Sequence, residues 1–267
     1  MRLIALSLAV SAAFAAQPPD AREIIRRSVA TADRNWKARQ NYTYNERAEE
    51  RRVDSGGSVK VTNVDISRIV VVNGVPVEQI VQRNGAPPSA STRRKDEEKL
   101  RKVQRETPYE RSARLAKDRE NLAFVDEVPD AFNFRLIGEE TIEGRETYII
   151  EAKPKPGFRG RAKYARMFPK VTSTLWVDKR DYGWVKADAT VIAPISMGLI
   201  LARVQPGSHI VFEQMRIADG TWLPKRIQVR ADARILFVKN YQVDEVITYS
   251  DYQPAHGSEV ASSIGAR

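Results

Sequence analysis

From Lys225 to Asp232 the chain alternates without a break. Lys225, Ile227, Val229 and Ala231 fall on one side, and Arg226, Gln228, Arg230 and Asp232 on the other. A period of two describes a strand with one buried and one wetted face and fits no helix. Comparable β signals run over Phe134–Glu140, Glu146–Ala152, Thr172–Asp178, Trp184–Ile192, Ser208–Ala218, Leu223–Asp232 and Arg234–Asp251. Turn residues punctuate them at Glu143-Gly144, Asp181-Tyr182-Gly183, Asp219-Gly220 and Ala231-Asp232. An earlier meander is legible at Asn41–Val53, Val59–Val72 and Val75–Gln82, with Asn73-Gly74 as a strong hairpin signal. The total is roughly ten strands, close to the limit for an open sheet, so the sheet must curl. The predicted class is α+β, mainly β: a strongly curved antiparallel sheet with helices packed on its concave, open side.

The helical segments are few. Asp20 suits an N-cap for a helix over Ala21–Arg39, with Ile24, Ile25, Ser28, Val29, Ala32 and Trp36 on one face. Residues 92–123 form a charged helical insertion whose apolar stripe is only Leu100, Val103, Leu115 and Leu122. Pro108 divides it into two helices at Thr107-Pro108. Its acids and bases interleave, which favours a solvated face with i,i+4 ion pairs over a nucleic-acid surface.

The first 15 residues read as a targeting segment. Arg2 precedes an uncharged run from Leu3 to Phe14, and Ala13-Phe14-Ala15 is a small-x-small cleavage site. The run is too short to cross a bilayer, which takes about 20 residues. A cleaved signal peptide at 1–15 and an exported, periplasmic domain at 16–267 are predicted. Export argues against a nucleic-acid partner. The balance of 44 Lys+Arg against 34 Asp+Glu, net +10, implies peripheral contact with an anionic membrane surface.

Catalytic chemistry finds no support. The chain has no cysteine and two histidines, His209 and His256. That excludes disulfides, zinc fingers, cysteine nucleophiles and a His-rich metal site. There is no G-x-S-x-G, H-E-x-x-H, P-loop or G-x-G-x-x-G. His209 as a general base would need a carboxylate and a nucleophile, with Asp188 and Glu213 as its conceivable partners, and a hydrogen-bonded sheet histidine is the simpler reading. Gly157-Phe158-Arg159-Gly160-Arg161 lacks the spacing of a phosphate loop and reads as a mobile basic loop. No enzyme, cofactor or metal is expected.

The apolar stretch Ala193–Ala202, interrupted by Pro194 and Gly198, is more informative. Either it is a flexible lid or wall of a hydrophobic cavity, with Ile195, Met197, Leu199 and Leu201 facing an acyl chain, or it is a short helix capping the core. Trp176, Trp184 and Trp222 could wall the same cavity, although aromatic core packing explains each of them alone.

A resemblance joins these features. Leu175-Trp176-Val177-Asp178, Asp181-Tyr182-Gly183-Trp184-Val185-Lys186, Phe212-Glu213-Gln214, Asp219-Gly220-Thr221-Trp222-Leu223-Pro224 and Tyr249-Ser250-Asp251-Tyr252 resemble the outer-membrane lipoprotein-sorting protein family, of LolA/LolB-like fold. Tyr42-Thr43-Tyr44 after the first helix is similar in placement. The resemblance is specific over about Thr172–Tyr252. It implies an unclosed β-barrel plugged by helices, a cavity for lipid or lipoprotein acyl chains, and a monomeric carrier. The charged insertion departs from the family pattern. The rival reading on the same fold is an envelope sensor or protein-binding module without lipid transfer.

Overall fold

The computed structural model describes residues 19–53, 59–197, 202–235 and 239–255. The leader at 1–15, Leu199, Leu201 and His256 lie outside them, as does the side chain of Met197.

Helix α1 (Ala21–Arg39) starts where Asp20 accepts the Arg22 N–H at 3.1 Å. The meander follows as β1 (Tyr42–Val53), β2 (Val59–Val72) and β3 (Val75–Arg83). Asn73 turns at φ 52° between β2 and β3, as a hairpin of this type requires. Helices α2 (Ala90–Gln104) and α3 (Pro108–Leu122) are separated at the expected break. Pro108 occupies the first turn of α3, where its missing N–H costs nothing. Thr107 and Glu110 close a reciprocal capping box over it. A short 3₁₀ turn (Val125–Glu127) and α4 (Val128–Ala131) lead into β4 (Phe132–Ile142) and β5 (Arg145–Pro154). The remaining strands are β6 (Val171–Asp178), β7 (Trp184–Val191), β8 (Ile195–Met197), β9 (Ala202–Val204), β10 (His209–Arg216), β11 (Trp222–Ile235) and β12 (Lys239–Pro254).

Ten strands form one antiparallel sheet in the order β3-β2-β1-β12-β11-β10-β7-β6-β5-β4. The terminal strands β3 and β4 do not pair, so the sheet curls without closing. The N-terminal half of α1 lies in the trough of the β4–β6 end. Ile24 and Ile25 pack there with Ala131, Phe132, Ile150, Ala152, Leu175 and Val177. Burying side chains of this kind contributes about 1.5–3 kcal/mol each. Helix α2 is on the other side. Leu100 and Val103 pack on Val70, Val72, Val75 and Val77. These valines alternate with Ile69, which pairs with Tyr44 on the inner face. The same helix protects the sheet edge, since Asp96 accepts the Ile80 N–H at 2.9 Å.

Two sequence expectations change. Ala231-Asp232 is no turn. β11 runs on to Ile235, with Ala231 opposite Val243 and Asp232 opposite Gln242. The aspartate is tolerated because Ser208 Oγ accepts its N–H at 3.1 Å and the Gln205 N–H reaches its carbonyl at 2.7 Å. The apolar stretch after Ala193 is neither a plain loop nor a capping helix in its described part. β8 pairs with β9 as a hairpin, and β9 pairs with the end of β11. Pro194 precedes β8 and takes no place in its ladder, so it does not interrupt it.

Candidate functional site

The C-terminal half of α1 continues past the packed core and, with α3, roofs a cavity of about 470 Å³ on the concave face. Its floor is Trp184 of β7, Phe212 and Gln214 of β10, and Trp222, Pro224 and Ile227 of β11. Trp36 comes from α1, Leu115 and Leu122 from α3, and Phe124 from the turn beyond it. The volume is that of a small-molecule pocket, and the lining is largely apolar.

Each tryptophan on the floor is fixed by its indole N–H. Trp184 donates to Ser28 Oγ at 2.7 Å, and Ser28 passes its own proton to the Ile25 carbonyl at 2.8 Å. Trp222, 2% exposed, donates to Asp181 Oδ1 at 2.9 Å. Its backbone N–H meets Asn35 of α1 at 3.3 Å. Gly183 lies flat against this ring, and a Cβ there would stand 2.0 Å from Trp222 Nε1. Asp181 also binds Arg216 at 2.8 Å and Arg145 at 3.3 Å, while Arg145 reaches the buried Asp178 at 2.6 Å. Burial would raise the Asp178 carboxyl, but Arg145 and the N–H groups of Arg180 and Asp181 hold it below the usual carboxylate range. The two sequence segments around Asp178–Trp184 and Asp219–Pro224 therefore form one braced corner whose output is the position of Trp222.

The polar end of the cavity is Arg39. Its guanidinium donates to the Tyr44 hydroxyl at 2.7 Å and stands over Tyr44, Trp36 and Tyr249 at 5.4, 5.7 and 5.9 Å from the ring centroids. Among the described residues no carboxylate comes within ion-pair distance of it. The other cations of the wall are occupied, because Lys37 and Arg119 share Asp33 at 2.8 and 3.5 Å. Beyond Arg39 the inner face carries Glu46. Burial and the nearby charge of Glu78 push its carboxyl above the usual range, and Arg39 offsets part of that.

The roof is lightly held. α3 has no buried residue. Its link to α1 is the Arg119–Asp33 pair, and Arg114 bonds within the insertion, to Glu106 and Asp118.

Of the residues singled out from sequence, Trp184 and Trp222 meet on the cavity floor. Trp176 does not. Its neighbours Leu175 and Val177 point into the core, so Trp176 lies on the outer face, donating to Glu140 at 2.7 Å beneath Lys186. Ile195 is buried at the β8–β9 hairpin and is no part of this wall. Trp36, Arg39, Leu115, Leu122, Phe212 and Ile227 were not singled out as site residues, although Trp36 stood on the apolar face of α1 and Leu115 and Leu122 on the thin stripe of the insertion. His209 meets Asp188 on the sheet, and among the described residues that is the ring's only hydrogen-bond partner. No cluster among the described residues could hold a metal ion, and no described helix is long and apolar enough to cross a membrane.

No family model and no curated protein sequence matches the chain. Solved structures of similar fold include a LolA superfamily protein from Nitrosomonas europaea, 14% identical, covering 88% of this chain and 93% of that one at a TM-score of 0.32. A putative outer membrane lipoprotein-sorting protein domain from Vibrio parahaemolyticus is 12% identical over 88% of this chain and 95% of its own, at 0.35. MucB in complex with MucA(peri) is 11% identical over 89% of this chain and 100% of its own, at 0.24. These superpositions are loose, and the assignment of an unclosed sheet with helices in its trough stands on the strand order.

Proposed function

We propose that this protein is a periplasmic carrier that shelters the acyl chain of an anionic amphiphile beneath α3. The observation that carries the reading is the apolar cavity whose single unpaired cation, among the described residues, is Arg39. Trp36, Trp184, Trp222, Phe212 and Ile227 offer the chain an apolar bed, and each methylene leaving water contributes about 0.8 kcal/mol. A dozen methylenes give about 10 kcal/mol before the costs of association and ordering are subtracted. Arg39 keeps most of its five N–H donors free to meet a carboxylate or phosphate. The mechanism is partition without bond-making: α3 lifts, the chain enters, and α3 closes. The leader read at residues 1–15 supports a periplasmic setting for this action.

Native mass spectrometry of the purified protein, paired with uptake of a fluorescent fatty acid, tests the reading. Bound lipid and saturable uptake are expected. Leu115→Glu should abolish uptake while the fold survives, because Leu115 is 38% exposed on a helix with no buried residue. An empty protein that takes up no probe would overturn the proposal. A tight protein partner found together with that result would favour the binding-module reading.

A further inference from the structure

The stretch between Glu151 and Asp178 holds Lys153, Lys155, Arg159, Arg161, Lys163, Arg166 and Lys170 and not one acid. The glycines at its centre predict a mobile basic loop, but the structure has a built platform there. Glu127, 8% exposed, accepts the backbone N–H groups of Arg161 at 3.0 Å and Ala162 at 2.7 Å. The Lys155 N–H is held by the Ala131 carbonyl at 2.8 Å. Phe158 packs against Phe168, with ring centroids 6.3 Å apart. Gly160 passes so close to Ala165 that a Cβ would stand 2.4 Å from its carbonyl carbon. On this support Lys155, Arg159, Arg161, Lys163 and Arg166 are all exposed, and among the described residues no carboxylate pairs with any of them. Lys153 and Lys170 are occupied, by Glu151 at 3.2 Å and the Pro194 carbonyl at 2.7 Å.

Five like charges on one support repel one another, and the acid beneath them, Glu127, spends both carboxylate oxygens on backbone N–H groups, so the side chains call for a counter-charge from outside. The chemistry beside them narrows its source. Tyr164 is 36% exposed between Lys163 and Arg166, and an amphipathic ring flanked by cations is the pattern of a headgroup interface. The platform also adjoins the roof of the cavity: Phe124, the wall residue that follows α3, lies 5.8 Å from the Tyr164 ring and 6.2 Å from that of Phe168. We infer that residues 153–166 are a docking platform for an anionic phospholipid surface, which sets the bilayer against the C-terminal end of α3. Docking of this kind needs no cargo, so it stands or falls apart from the cavity reading.

The test compares two variants of equal charge. Lys155→Gln, Arg159→Gln, Arg161→Gln and Arg166→Gln together leave the platform Lys163 alone of its five free cations. Arg94→Gln, Lys95→Gln, Lys102→Gln and Arg105→Gln together remove as many exposed cations from α2 and its C-cap. Sedimentation with phosphatidylglycerol/phosphatidylcholine vesicles at low salt reads the binding. A cation near an anionic membrane is worth roughly fivefold in affinity, so the platform variant, four cations short, should lose roughly several hundredfold and the α2 variant far less. Equal losses would mean that net charge alone binds, and would overturn the platform. Wild type that ignores these vesicles but binds a soluble anionic polymer would overturn the membrane. A second readout removes dependence on the quadruple variant. The chain has no cysteine, so Lys155→Cys and Lys102→Cys each carry one environment-sensitive dye. A vesicle-induced blue shift is expected at position 155 alone, and a shift confined to 102 would refute the inference.

Discussion

Gly183→Ala is the sharpest test of how the cavity floor is held. The added methyl would stand 2.0 Å from Trp222 Nε1, 2.3 Å from Cε2 and 2.4 Å from Cδ1. No real Cβ contact is that short, and the obstacle is a buried ring. The indole must therefore leave its seat and surrender its bond to Asp181. A hydrogen bond to a charged group is worth about 1.5–3 kcal/mol. Forcing an extra carbon into a packed site costs a further 1–3 kcal/mol or so. We expect a loss of about 3 kcal/mol or more in denaturant unfolding, which for a domain of this size lowers Tm by roughly 6–12 °C. Tryptophan emission should shift, and affinity for the fatty-acid probe should fall, because Trp222 is part of the wall. Gly138→Ala is the internal control: its Cβ would meet Ile149 Cδ1 at 3.8 Å, an ordinary contact, and should cost little. In a Trp222→Leu background the Gly183→Ala penalty should largely vanish, as coupled neighbours require. A Gly183→Ala protein within about 0.5 kcal/mol of wild type, the range of a neutral surface change, would refute the braced corner.

Three further outcomes follow from the same geometry. Arg39→Met should weaken binding of a long-chain carboxylate at least tenfold while leaving the alcohol of equal length almost unchanged, since only the charged head loses its partner; competition against the fluorescent probe measures both. Asp178, held below its usual range, contributes stability that is present above its unfolded value of about 3.9 and is lost as pH falls through the lower folded value. Asp178→Asn should therefore flatten the acid side of the Tm–pH curve. Glu127→Gln replaces an acceptor of two N–H groups by an amide that accepts at one atom only, and should cost about 1–3 kcal/mol and raise proteolysis within residues 155–165.

What was legible in the sequence is what local physics writes there. α1 begins after its capping aspartate and ends where read, the insertion breaks at Pro108, and Asn73-Gly74 turns the meander, because caps, proline and positive-φ turns act within a few residues. The site depended on long-range register. Trp222 meets Asn35 across 187 positions, a separation no window of sequence spans. Trp176 stands apart from the cavity, and parity gives the reason: between the inward Leu175 and Val177 it faces outward. Alternation alone also misleads at the next step, since a bulge between Trp176 and Val177 shifts the register and lets Trp184 face the trough opposite Val177. The basic stretch could be counted from sequence, but its rigidity came from Glu127, an acid on a separate element.

The light hold on α3 has a thermodynamic consequence. A helix that buries no residue contributes little to the global free energy of folding, so its amide protons should exchange through a local opening far cheaper than unfolding of the sheet. Opening frees the cavity contacts of Leu115 and Leu122 and the Arg119–Asp33 pair, while the Thr107–Glu110 capping box moves with the helix. Among the described residues no hydrogen bond or ion pair joins Asp181 to any of these groups. Mutations that loosen the roof and mutations that loosen the floor should therefore combine additively, one set changing the local opening free energy and the other the global one.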